Sequence, residues 1–462
     1  MRLNIFYESK EDLNKLIKVF SYFEKIYHNK YSIEYDYYTA ANKPLDGIYY
    51  LNRRYNISRA KTSVFLSKKV YSTAFKLINL SDFFDSNLIL NKNKLPVYKD
   101  LFFNEDINDF INFDVIELIY FVIYNSFDEK NNPLKQYLDK PVVNYYFEIL
   151  KQIIDETVFQ AFPKETLYKK KAQRFYICLS HDVDYITPGF REKLWDIILL
   201  LKYIHKNLKK TNKIRGCLNN LKIIKNTDLV RNIIAIEKGL GFKSTFFYYS
   251  KRDKNNTKDK VLSLLFDPEY HLSKLKEEFD LLINNNFEIG LHGGFSSYKD
   301  HILFKDEKLN LGKHANSRVV SNRFHCLNFS KTNSGRILAN NGIRFDSSLG
   351  FVFKPGFYNG FAHPYYLNLE NTKIFEIPLI VMDVTLFRYM SLNQDESFEL
   401  TIKILNEVKK FNGIVSICWH YGFLNKNYYN GEFLELYQRV LQWIHDNNGL
   451  GIPLRDIEKY YA

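Results

Sequence analysis

The stretch Arg174-Phe-Tyr-Ile-Cys-Leu-Ser-His-Asp-Val-Asp184 is an apolar run that ends in two carboxylates one residue apart. A continuous apolar run of this length reads as a strand buried on both faces, the kind found in parallel sheets and barrels. Asp182 and Asp184, at i and i+2, project to the same side where the extended backbone persists. Carboxylates that close repel, so the pair is costly unless a cation neutralises it or one keeps its proton. Ends of parallel strands are also where α/β folds gather their catalytic groups. Taken alone, Asp-x-Asp is equally compatible with a solvated turn after a strand.

Downstream of this run, strand-like segments alternate with helical periodicities. A helix from about Asp228 leads into Phe242-Lys-Ser-Thr-Phe-Phe-Tyr-Tyr249, and a helix over 271–284 precedes Phe287-Glu-Ile-Gly-Leu-His292. Later strand candidates are Ile343-Arg-Phe-Asp-Ser347, Ile374-Phe-Glu-Ile-Pro-Leu-Ile-Val381 and Gly413-Ile-Val-Ser-Ile-Cys-Trp-His420. Repeated βα units predict a parallel sheet, open or closed into a barrel. Three of these runs end in groups able to bind metal or move protons: Asp182/Asp184, His292 and His420. A lone strand-end histidine is more often a hydrogen-bonded structural residue. Barrel strands converge at one rim, however, so three such ends together point to a site. Imidazole plus carboxylate oxygen is a zinc-ligand set whose open position lowers the pKa of a bound water. A neighbouring carboxylate can then act as general base and a separate imidazole as general acid.

Upstream, residues 1–165 read as a separate, smaller α+β domain. Leu3-Asn-Ile-Phe-Tyr7 predicts a strand, followed by a helix over 10–23 with Leu13, Leu16, Ile17 and Phe20 on one face. Short strands are expected at Ile48–Leu51 and Val64–Leu66, then helices over 115–124 and 142–158. Nothing in this half concentrates His, Asp or Glu in catalytic spacing. Residues 160–173, with Pro163 and Lys169-Lys-Lys171, predict a linker, and residues 174–462 form the second domain.

Composition narrows the function classes. At 462 residues with 46% hydrophobic and 25% charged, the chain has the make-up of a globular protein. A net charge of +13 suits an acidic partner, yet the lysines are spread along the chain and no nucleic-acid motif is present, so nucleic acid is not expected. In the basic segment 191–226, Leu194, Ile197, Ile198, Leu201, Ile204 and Leu208 form a helical stripe beside Lys202, Lys206, Lys209 and Lys210. Such a stripe either packs on its own domain or lies peripherally on an anionic membrane. Cys178, Cys217, Cys326 and Cys418 form no CxxC pair, and free thiols are expected. The N-terminus lacks an apolar signal core, and no apolar run is long enough to span a bilayer, so a cytoplasmic protein is expected.

Leu179-Ser-His-Asp-Val-Asp184, Lys243-Ser-Thr-Phe-Phe247, Glu288-Ile-Gly-Leu-His-Gly293, Asn322-Arg-Phe-His325, Arg344-Phe-Asp-Ser-Ser-Leu-Gly350 and Trp419-His420 occur in this order along the chain. Together they resemble the motifs of the polysaccharide deacetylases of the carbohydrate esterase family four superfamily. Leu138-Asp-Lys-Pro-Val-Val-Asn144 is similar to a two-domain bacterial subgroup whose N-terminal module is uncharacterised. The resemblance implies a distorted (β/α) barrel that hydrolyses N-acetyl groups of an amino-sugar-containing saccharide with a divalent metal, zinc foremost and cobalt or nickel as alternatives. By position, Asp182 would be the base, Asp184 and His292 metal ligands, and Arg323 the arginine that orients the base. Asp346 would support His420, the general acid.

The chain departs from that pattern at Ser296, where the family has a second metal histidine four residues after the first. Hydroxyl is a poorer zinc ligand than imidazole, so His325 or water is expected to complete the sphere. His363, Trp419 and Tyr421 are candidates for substrate contact, and the two aromatics are equally suited to core packing. His181 should point away from the base on an extended chain. Two alternatives stay open: a non-catalytic glycan-binding or scaffold relative that has lost metal, and an Asp-x-Asp glycosyltransferase. With no signal peptide in view, an intracellular saccharide or a lipid-linked precursor of a cell-surface polysaccharide is the expected substrate.

Overall fold

The computed structural model describes residues 2–7, 9–27, 32–37, 47–51, 63–67, 75–79, 94–98, 115–124, 137–154, 174–186, 226–250, 270–330, 333–367, 374–426 and 431–461. The expected linker, the apolar stripe of the basic segment and Cys217 lie outside these residues. The chain divides into two compact units, Met1–Gln173 with Asn359–Phe361 and Arg174–Tyr358 with Ala362–Ala462. Among the described residues, no helix is long and apolar enough to cross a membrane.

In the first unit, β1 (Arg2–Tyr7), β2 (Ser32–Tyr37), β3 (Gly47–Leu51) and β4 (Ser63–Ser67) form a parallel sheet in the order β2-β1-β3-β4. Strands β5 (Phe75–Asn79) and β6 (Lys94–Tyr98) form an antiparallel pair. The Lys10–Ile26 helix starts at Ser9, whose hydroxyl accepts from the Asp12 N–H. It buries Leu16, Val19, Phe20 and Phe23, whereas Ile17, expected on that face, is 44% exposed.

The second unit contains a ten-stranded sheet. Its strands are β7 (Tyr176–Val183), β8 (Thr245–Tyr248), β9 (Glu288–Gly293), β10 (Ser321–Phe324) and β11 (Phe345–Asp346), continuing with β12 (Tyr365–Tyr366), β13 (Phe375–Glu376), β14 (Leu379–Met382), β15 (Ile414–Cys418) and β16 (Leu450–Ile452). All pairings are parallel except β12 with β13. Parallel neighbours need crossovers, and helices such as Asn226–Gly239, Lys276–Asn284, His301–Ala315, Gln394–Lys410 and Glu432–Asp446 supply them. The sheet curls until its ends meet. The chain through β13 and β14 bonds β11 on one side (Ile377 N to Asp346 O, 2.8 Å) and β15 on the other (Ser416 N to Pro378 O, 2.8 Å). The unit is therefore a distorted (β/α) barrel.

Why the run 374–381 forms two short strands follows from Pro378, which has no N–H to donate between Glu376 and Leu379. Cys178, Phe345, Phe375, Ile377, Ile414 and Ile452 belong to one apolar cluster near the end where most strands begin. The opposite end of the strands carries the polar residues.

Candidate active site

Five strands, β7, β9, β10, β14 and β15, bring chemistry to one rim at or just after their C-terminal ends. Asp184 follows β7, His292 lies in β9, and His325 follows β10. One ligand-type atom from each of the three lies within 4.8 Å of the others. His292 Nδ1 is 2.8 Å from the Arg323 carbonyl oxygen. A carbonyl only accepts, so Nδ1 carries a hydrogen and Nε2 is the nitrogen turned to the site. That nitrogen faces Asp184 Oδ1 at 3.2 Å, and both atoms are buried without a hydrogen-bond partner. A ring nitrogen and a carboxylate oxygen at this distance are stable only with a proton or cation between them. His325 Nε2 approaches the same oxygen at 4.0 Å. A carboxylate and two imidazoles are a donor set that could hold a divalent ion.

The turn that presents His325 is strained. Cys326 and Leu327 take left-handed φ values of 57° and 54° in succession. Each such non-glycine residue costs about 1–2 kcal/mol. Ser296, the expected fourth-residue partner of His292, is buried in the turn after β9 with its Oγ unpartnered, and the second imidazole of the group is His325, which follows the neighbouring strand β10.

Asp182, two residues before Asp184, is held by Arg323. The guanidinium is wholly buried and uses all five of its N–H groups. Nη1 donates to Asp182 Oδ1 and Ser180 Oγ, each at 2.8 Å. Nη2 donates to Ser347 Oγ and Ser416 Oγ at 3.0 Å, and Nε to the Ser347 carbonyl at 2.9 Å. Each serine hydroxyl donates onward to a backbone carbonyl, of Ile417, Ile377 and Cys178 respectively. The cation also lies 4.7 Å from the Phe247 ring centre. Gly290 makes room for that ring, since a Cβ there would sit 2.6 Å from it. Burial pushes the Asp182 carboxyl up, but Arg323, His292 and His420 outweigh it, and the group titrates below the usual carboxylate range. Asp184 is likewise held down against burial by the three histidines.

His420 follows β15. Its Nδ1 is 2.6 Å from Asp383 Oδ1, and its backbone N–H donates to Asp383 Oδ2 at 2.9 Å. Nε2 lies 3.7 Å from Asp184 Oδ2. Burial opposes the charged ring, but Asp383, then Asp184 and Asp182, push its pKa up to about 9. Cys418 offers a sulfur within 4.8 Å of Asp182 and His420 ligand atoms, but burial and the Asp182 charge drive its thiol pKa well up.

The structure therefore brings Asp182, Asp184, His292, Arg323, His325 and His420 together. It does not bring Asp346 to His420. Asp346 accepts from Asn322 Nδ2 at 2.7 Å and from Ser348 Oγ at 3.0 Å, beside Glu376 of β13 in register. Burial and the Asp346 charge push the Glu376 carboxyl well above the usual carboxylate range. The carboxylate on His420 is Asp383, which sequence reading passed over although it too ends an apolar run, Leu379–Met382.

Sugar contact is also corrected. Trp419 and Tyr421 are wholly buried, Trp419 against Tyr437 and Tyr421 against Phe246. Their rings are core and offer no open face. His363 is buried with its ring 6.2 Å from Tyr461. The carbonyl of the preceding Ala362 accepts from Ile414 N at the start of β15. At about 3.3 Å per residue, that is a strand's length from His420.

No family model matches the chain, and no curated protein matches it. Solved structures do. A protein assigned as a polysaccharide deacetylase from Mycobacterium smegmatis is 15% identical with a TM-score of 0.41, over 63% of this chain and 91% of that one. A family 4 carbohydrate esterase from Streptomyces lividans is 8% identical with a TM-score of 0.30, over 60% and 91%. A pseudoenzyme of carbohydrate esterase family 4 from Bacillus anthracis is 9% identical with a TM-score of 0.33, over 63% and 66%. The solved structures similar to this chain thus include polysaccharide deacetylases and family 4 esterases, a pseudoenzyme among them. Function is read from the site itself.

Proposed function

We propose that the chain is a divalent-metal-dependent hydrolase that removes N-acetyl groups from an amino-sugar-containing saccharide or its precursor. The observation that carries this reading is the buried pair His292 Nε2 and Asp184 Oδ1, which face each other at 3.2 Å with no other hydrogen-bond partner. Asp184, His292 and His325 would hold the ion, which when bound supplies Lewis-acid polarisation of a carbonyl and acidifies water. Asp182, kept ionised by Arg323, takes the proton of the attacking water. His420, protonated and held at Nδ1 by Asp383, gives its Nε2 proton to the departing amine. The saccharide as substrate follows from the motif resemblance.

The test is acetate release from N-acetylated amino-sugar oligomers. The metal-loaded protein should release acetate, a chelator should stop it, and Asp182→Asn should slow it by about 10²–10⁴-fold while keeping the metal. Metal-loaded protein that releases no acetate from any such saccharide would sink the reading.

A further inference from the structure

Behind the rim lies a second buried polar cluster that the proposed chemistry does not use. His181 sits between Ser180 and Asp182 in β7, so its side chain points to the opposite face of the strand, towards the helices. There His181 and Glu237, from the Asn226–Gly239 helix, are both wholly buried, with Nε2 and Oε1 2.8 Å apart. Tyr437 of the Glu432–Asp446 helix donates its hydroxyl to the same oxygen at 2.8 Å. His181 Nδ1 lies 2.9 Å from the Trp419 carbonyl. Because a carbonyl only accepts, Nδ1 carries a hydrogen, and Nε2 and Oε1 share the next proton. Phe246 and Tyr437 pack on the imidazole with ring centres 4.7 and 5.6 Å away.

An imidazole and a carboxylate buried this deeply lose several kcal/mol of hydration, and apolar residues would fill the space as well. What the pair supplies is the placement of one peptide group. The β7–β15 ladder ends at Ser180 opposite Cys418, with Trp419 N donating to Ser180 O at 3.0 Å as the next backbone bond. Beyond that point His181 takes the Trp419 carbonyl. The nitrogen of the same peptide group belongs to His420, and Asp383 takes it at 2.9 Å. The single peptide preceding His420 is therefore gripped at its oxygen from β7 and at its nitrogen from the residue after β14.

We propose that the His181–Glu237 pair is the positioning device of the general acid, fixing the 419–420 peptide so that the His420 ring meets Asp383 and faces the rim. This inference rests on the reading of His420 as the acid. Three substitutions test it. His181→Phe keeps a ring in an aromatic surround but removes the donor. His181→Asn places an amide where Nδ1 stood, within reach of Trp419. His181→Gln places it where Nε2 stood, within reach of Glu237 alone. Each folded variant is assayed for kcat, KM and bound metal, and the Phe and Gln variants are crystallised.

The expected result is a kcat lower by about 10–100-fold in Phe and Gln, with KM and metal content unchanged, and recovery of most of that loss in Asn. The 419–420 peptide should be turned in the crystals, with His420 Nδ1 out of reach of Asp383. The proposal is overturned if folded Phe or Gln variants keep wild-type kcat, if Asn is as impaired as Gln, or if metal and kcat are lost together. Should the wild type release no acetate, the crystals decide alone: an unmoved 419–420 peptide overturns the positioning role, and a displaced one supports it while the deacetylase reading fails.

Discussion

Asp383 does for His420 what Arg323 does for Asp182: it holds the side chain by a hydrogen bond and biases its charge. In Asp383→Asn the amide would turn an N–H against a His420 N–H, and the charge that lifts the imidazole pKa to about 9 would go. Acetate release at saturating metal should fall by about 10²-fold or more, with metal content unchanged, whereas Asp346→Asn should leave the His420–Asp383 contact intact. Equal losses in both variants would return Asp346 to the role expected of it. At this scale the sequence was legible wherever a chemical group ended an apolar run, as at Asp182, Asp184, His292 and His420. His325 was harder to place than Ser296 because its position depends on register, Arg323 opposite His292, which spacing along the chain does not carry. Trp419 and Tyr421 stayed open between sugar contact and core because residue type alone does not say which side of a strand's end a ring turns to, and both are buried.

Strand β10 shows what periodicity misses. Ser321-Asn322-Arg323-Phe324 has one apolar residue, yet all four are buried, because the polar side chains are spent on Glu288, Asp346 and Asp182. A hydrophobic-pattern reading passes over such a strand. A related element-scale feature is the packing of the Lys276–Asn284 helix on β8. Glu278 on that helix is 1% exposed, accepts from Tyr248 O–H at 2.6 Å, and has a second oxygen without a partner. Burial pushes its pKa up to about 7, with the Tyr248 bond pulling back only in part. A carboxyl whose folded pKa is raised favours the folded state below the unfolded value of 4.5 and loses that contribution as pH rises through about 7. At about 1.4 kcal/mol per unit the loss is roughly 3 kcal/mol. Melting temperature should therefore fall between pH 4.5 and pH 7 in the wild type, more steeply than in Glu278→Gln. Parallel melting curves for the two proteins across that window would contradict the assignment.

For the whole molecule, the sequence announced alternating strands and helices from Arg174 onward but not the closure of the sheet, which depends on one segment, 375–382, bonding β11 and β15 at once. Closure is what brings residues from β7, β9, β10, β14 and β15 to a common rim, so the ligand set is a property of the barrel and not of any one motif. An ion held by Asp184, His292 and His325 would tie the ends of β7, β9 and β10 together and stabilise the folded state in proportion to its occupancy. The direct measurement is elemental analysis of the purified protein, wild type beside His325→Ala and Ser296→Ala. One divalent metal per chain is predicted for the wild type and for Ser296→Ala, and its loss for His325→Ala. A wild type without metal, or a His325→Ala protein that keeps its full complement, would contradict the account.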